Sequence, residues 1–304
     1  MGPMSGPLFD AHLIVDWSAS STPKRGADSI WSCVCRTGSS PEPPVNHPTR
    51  AAALAHLVDL LVAHPTDRVL VGIDMPYGYP AGFAASAGLT GTPSWWRTWC
   101  HLAETITDAP DNANNRFDVA AAWNAAVSDG PGPFWGTTSE RHVRPSLSRT
   151  KAPGFPHRGL AEHRHAELDV TRRTGLHPFS VWQLAGAGSV GSQTLVGIPV
   201  LHALRTHPDL RERSVVWPFE CGFTDDPTAG RPNAVVHAEI WPSSLGRPDP
   251  ALHPVKDAGQ VIALARRLAE LDAAGDLADR FAPALDPAIV GDVLDEEGWI
   301  LDVT

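Results

Sequence analysis

The chain has 304 residues, 42% of them hydrophobic and 19% charged, which suits a globular protein with a sizeable core and excludes a disordered one. A net charge of −10 argues against non-specific coating of long nucleic acid, which rewards a basic surface, and favours a compact phosphorylated ligand held by local cations or metal ions. No apolar run reaches the roughly 18 residues of a membrane span, and residues 1–7 lack the basic-then-apolar order of a signal peptide, so a cytoplasmic protein without membrane contact is expected.

Residues 12–19 (HLIVDWSA) form an apolar run that ends in an acid and predict a first strand. Residues 20–28 carry Ser, Pro and Gly and predict a turn, and the alternating 29–36 (SIWSCVCR) predicts a second strand, making a hairpin. Cys33 and Cys35 share one face of that strand and read as small buried hydrophobes. Pro48 and Thr49 open a helix whose Leu54, Leu57, Val58, Leu61 and Val62 make an apolar stripe, ended by Pro65. Residues 69–74 (VLVGID) predict a buried strand that also ends in an acid. Residues 88–160 are rich in Gly, Pro, Trp, Ser and Asn, with helical patches near 95–106 and 115–127, and are expected to be an insertion or lid on one domain spanning 8–304. Helices are expected over 158–173 and 188–205, the latter kinked or broken by Pro199, and strands over 214–220 and 234–241. A last amphipathic helix carries Val261, Leu264, Ala265, Leu268 and Leu271 and ends near Gly275. Strands and helices in this order predict an α/β fold with a mixed sheet flanked by helices.

Four predicted strands end in or carry a carboxylate: Asp16, Asp74, Glu220 and Glu239, and Asp257 begins the last long helix. An acid in an apolar strand is costly unless it is paired or binds a cation, and clustered carboxylates with oxygen ligation suit Mg²⁺ or Mn²⁺. Asp257 with Gln260 also matches a capping box, and Glu220 also suits an ion pair with a helix arginine. Arg116, Arg164 and Lys256 are candidates for phosphate contacts, and Trp135 or Trp17 for stacking on a base, although packing is the commoner role in a chain with 11 tryptophans.

The segments VDWSAS, DSIW, GIDMPYGYPAGF, NRF, GPFWG, HRHAE, VWQLAGAGSVGSQTLVGIP, VWPFE, AEIWPS, VKDA and EEGWIL resemble a family of predicted nucleases with a ribonuclease H-like fold, a domain of unknown function numbered 429. Some relatives in that family carry a label for molybdopterin guanine dinucleotide synthesis. The resemblance implies a carboxylate cluster holding one or two divalent ions, with Asp16 as the first-strand acid, Asp74 as the acid after the first helix and Asp257 as the acid of the C-terminal helix. It also implies an acid in the first helix, where this chain has only Asp59 on the polar face, so Glu239 or Glu220 is the expected substitute. The implied activity is metal-dependent hydrolysis of a phosphoester, in a nucleotide first and in nucleic acid second.

Gly186, Gly188 and Gly191 satisfy G-x-G-x-x-G, with Ser189, Ser192 and Gln193 as potential phosphate donors. Three readings remain open for that segment: a tightly packed helix start, a phosphate-binding loop of a hydrolase, or a nicotinamide site. The second and third support an alternative function, a non-hydrolytic nucleotide or cofactor carrier using residues 186–193.

Overall fold

The computed structural model describes residues 6–137, 139–151, 154–186 and 188–304. In chain order its elements begin with β1 (Ala11–Asp16), β2 (Ile30–Arg36), β3 (Val45–His47), α1 (Arg50–Ala63), β4 (Val69–Asp74), α2 (Phe83–Ser86), α3 (Ser94–Thr105) and α4 (Arg116–Val127). They continue with α5 (His165–Thr174), α6 (Val190–Thr206), β5 (Ser214–Val216), β6 (Val235–Glu239), α7 (Lys256–Ala274), α8 (Leu277–Phe281) and α9 (Pro287–Asp292). The strands form one mixed sheet in the order β3-β2-β1-β4-β6-β5. β1 runs antiparallel to β2, and β4 runs parallel to both β1 and β6. The protein is therefore an α/β fold with a six-stranded mixed sheet flanked by helices. Among the described residues no helix is long and apolar enough to cross a membrane.

Strand side chains alternate between two faces, and each face has its own core. Leu13, Val15, Val71 and Ile73 point to one side, against Leu57 and Leu61 of α1, Trp99 of α3, and Leu195 and Ile198 of α6. Ile14, Cys33, Cys35 and Leu70 point to the other, against Val261, Leu264, Ala265 and Leu268 of α7. Burying each such aliphatic side chain contributes roughly 1.5–3 kcal/mol. This α7 face is the one that carries Asp16 and Asp74 at the strand ends.

Thr49 caps α1 as its sequence suggests, its hydroxyl accepting from Ala52 N–H at 3.2 Å. The segment 88–160 contributes α3 and α4, whose Trp99, Leu102, Phe117 and Trp123 join the same apolar cluster as the sheet. Other boundaries differ from expectation for local reasons. β5 stops at Val216 because Pro218 has no N–H to continue the ladder and the Glu220 carboxylate turns back to accept Val216 N–H at 2.7 Å. α5 begins only at His165, where the Glu167 carboxylate reaches back to accept the Arg164 N–H at 2.8 Å and the Arg164 Nε–H at 2.9 Å. α6 is one helix through Pro199, since burial of Leu195, Ile198, Leu201 and Leu204 outweighs one lost backbone bond. The three-residue β3 is too short to leave a periodic signal.

Candidate metal and phosphate site

Asp16 and Asp74 are the last residues of β1 and β4, and the parallel register pairs them directly. Register partners on adjacent strands lie about 4.8 Å apart and project from the same face. That face is the one shared with Ile14 and Leu70, covered by α7. The first turn of α7 therefore arrives at the strand ends and delivers Lys256 and Asp257. Burial pushes the Asp16 carboxyl well above the usual range, and the negative charges of Asp74 and Asp257 push it further, while Lys256 opposes them. Burial, Glu239 and Asp257 hold Asp74 up at about 7, again against Lys256. Two in-register carboxylates, raised at both positions by burial first, form a pair that a cation would relieve.

These residues line a cleft of about 740 Å³. The β1–β2 loop supplies Lys24 and Asp28 to one wall. Lys24 Nζ lies 3.1 Å from Asp28, and Asp28 N–H donates to the Asp257 carboxylate at 2.6 Å. Burial raises the Asp257 pKa and that N–H lowers it. Asp257 thus does not cap its own helix, whose N-cap is Val255, but ties α7 to the loop. The cleft is also lined by Arg116 from the start of α4, Phe179, and Gly186, Gly188 and Ser189 before α6. Gln193 of α6 fixes the end of β1 by donating to the Trp17 carbonyl at 2.6 Å. Among the described residues no group of three or more His, Cys, Asp or Glu side chains is gathered as a ready metal site. What fits a divalent ion is the Asp16–Asp74 pair, with Asp257 held off on the Asp28 N–H.

Several expected site residues lie elsewhere. β6 pairs Glu239 with Ile73, not with Asp74, so its side chain leaves the opposite face of the sheet. There Glu239 accepts from both terminal nitrogens of Arg164, at 2.8 and 2.6 Å, and from Tyr77 N–H at 2.9 Å. Arg164 is fully buried and also bonds Glu167 and the Glu297 carbonyl, so its guanidinium has no donor left for a phosphate. The two carboxylates hold the Arg164 pKa above its ordinary value despite burial, whereas burial leaves Glu239 raised despite Arg164. Glu220 pairs with Arg205 of α6 at 2.8 Å, outside the cleft. Trp135 is buried against Phe155 with Lys151 over its ring, and it too lies outside the cleft. Asp59 is exposed on α1, which brings no acid to the site.

The glycine-rich segment lines the cleft but packs tightly. A Cβ on Gly191 would fall 2.2 Å from the Val181 carbonyl oxygen, and one on Gly188 would fall 2.0 Å from the Phe179 ring. Early N–H groups of α6 are already bonded, Val190 to Gly188, Gly191 to Gln183 and Ser192 to Ser189. Ala187 lies outside the described residues. Packing explains Gly188 and Gly191, and few amides remain there for a pyrophosphate.

Lys24, Asp28 and Phe179 were not among the expected site residues. The first two sit in a polar turn whose sequence announces only a turn, and Phe179 is an isolated aromatic. No family model, no curated protein and no solved structure matches the chain.

Proposed function

We propose that the chain is a divalent-metal-dependent phosphoesterase of ribonuclease H-like architecture, acting on the phosphoester of a nucleotide or, second to that, of a nucleic acid. The observation that carries this reading is the in-register Asp16–Asp74 pair at the C-terminal ends of parallel strands, at the floor of the large cleft. Open parallel sheets place ligands at that end of their strands. The antiparallel β1–β2 pair beside a parallel β4 supports the ribonuclease H-like assignment.

Asp16 and Asp74 would hold Mg²⁺ or Mn²⁺, joined by Asp257 once it leaves the Asp28 N–H. The ion, when bound, supplies an activated water and screens the charge that develops on phosphorus-bound oxygens. Lys256 and Lys24 line the cleft beside the acids and would take the non-bridging oxygens of the reacting phosphate. Phe179 is 47% exposed and offers a ring face to a base. Hydrolysis then adds water across the phosphorus–oxygen bond, with the proton passing to the leaving oxygen.

The test is a hydrolysis screen with Mg²⁺ and Mn²⁺ over nucleotides, dinucleotide cofactors and short DNA and RNA, read by mass. Turnover that needs the ion and is lost in Asp16→Asn, with folding retained, is the expected result. Turnover unchanged in that variant sinks the reading.

A further inference from the structure

Arg116 is 6% exposed, lines the cleft, and has no carboxylate within salt-bridge distance among the described residues. Its Nε donates to the Ser192 hydroxyl at 2.9 Å, and its Nη1 donates to the Ser21 hydroxyl and to the Asn114 side-chain oxygen, each at 2.8 Å. All three acceptors are neutral. Among the described residues nothing takes the N–H groups of Nη2. The guanidinium carbon sits 4.5 Å from the Phe117 ring centroid, which orients it without neutralising it.

Two other buried arginines are compensated by carboxylates, and a third, Arg213, is not but lies away from the cleft. Arg50 is held by Asp108, and Arg164 by Glu167 and Glu239. Arg213 donates to the carbonyls of His64 and Asp67 near the end of α1, away from the cleft. The acid nearest to Arg116 in effect is Asp108, which Arg50 already engages through two hydrogen bonds. Burial and then repulsion from Arg50 push the Arg116 pKa down to about 10. Buried charges are ordinarily paired, and a fork held open by neutral groups in a cleft lacks only its anion. Arg116 meets the cleft where α4 and α6 come together, bonded to Ser192, whereas Asp16 and Asp74 end β1 and β4 beside Lys256 and Asp257 of α7.

We propose that Arg116 anchors a second anion subsite, which takes a non-reacting phosphate group of the substrate. Ser189, just before α6, lines the same cleft. Resting on the phosphoesterase reading, this defines the substrate class as a molecule with two separated anionic groups, one cleaved at the Asp16–Asp74 end and one held at Arg116. A nucleotide bearing phosphate at two positions, or a short oligonucleotide, meets that description.

The subsite is tested without metal, by titrating inorganic phosphate into the protein in EDTA against chloride at matched ionic strength. Calorimetry should show binding to the wild type, weakened about 10- to 100-fold in Arg116→Gln and partly kept in Arg116→Lys. Thermal unfolding of the wild type, raised by phosphate more than by chloride, carries the same test if the Gln variant does not fold. No phosphate binding by the wild type in EDTA, or equal binding by the Gln variant, overturns the subsite. A second arm compares a nucleoside p-nitrophenyl phosphodiester with and without an extra phosphate on the sugar. The extra phosphate should lower KM at least 10-fold in the wild type and not in Arg116→Gln; an equal benefit in both proteins overturns the proposal. If no substrate turns over with metal, the phosphoesterase reading fails, and the EDTA titration still decides the subsite.

Discussion

Replacing Asp74 by Asn should stabilise the metal-free protein, and do so more at alkaline than at acid pH. The carboxyl is held up at about 7 from an ordinary 3.8 by burial first, then by the charges of Glu239 and Asp257. Below the ordinary value it is protonated in both folded and unfolded chains and costs nothing. As pH rises, the unfolded chain releases the proton and the folded chain keeps it, so stability falls until the folded carboxyl also ionises near 7, and is flat above that. About three pKa units at about 1.4 kcal/mol each set a ceiling of about 4 kcal/mol. Asp74 keeps some exposure, and its titration is shared with Asp16, so about 2–3 kcal/mol is the expected size. Asn is nearly isosteric and cannot ionise. Urea unfolding in EDTA at about pH 5 and about pH 8 reads the difference, which should favour Asn by about 2 kcal/mol more at the higher pH. An Asn variant that is less stable than the wild type by the same amount at both pH values would refute the reasoning.

Three further outcomes follow from the same geometry. Added Mn²⁺ should raise the melting temperature of the wild type and leave that of Asp16→Asn unchanged, as read by differential scanning calorimetry, because the proposed ion site needs both in-register acids. Glu239→Gln should cost about 3–5 kcal/mol in chemical denaturation by leaving Arg164 under-compensated, while the Mn²⁺ affinity of the folded fraction stays within about threefold of wild type. Gly197→Ala should destabilise by about 1–3 kcal/mol, since its methyl would meet the Met75 sulfur at 1.9 Å and the Trp17 indole nitrogen at 2.8 Å; full stability in urea unfolding would count against the close packing of α6 on the sheet.

The paired floor of the cleft was visible in the sequence because its signal is local. An acid that ends an apolar run stands out at Asp16 and at Asp74 without knowledge of any partner. The capped start of α1 and the spans of α3 and α4 were visible for the same reason. Residues that depend on pairing were not. Glu239 ends a similar apolar run, yet a register that sets it beside Ile73 turns it to the other face, and register is a property of two strands. Arg164 resembles a phosphate ligand until Glu167, one turn along, and Glu239, distant in sequence, converge on it. Conversely, Arg116 gains its meaning from what is missing around it. No pattern in its own neighbourhood announces that its acceptors are two serines and an asparagine.

Mn²⁺ binding to the apoprotein at about pH 8, above the value of about 7 to which Asp74 is held, followed by electron paramagnetic resonance, tests the central claim most directly. The account predicts saturable binding by the wild type that falls at least 10-fold in Asp16→Asn and in Asp74→Asn and is little changed in Glu220→Gln, whose carboxylate pairs with Arg205 outside the cleft. Binding of equal strength in wild type and both Asp variants would contradict it.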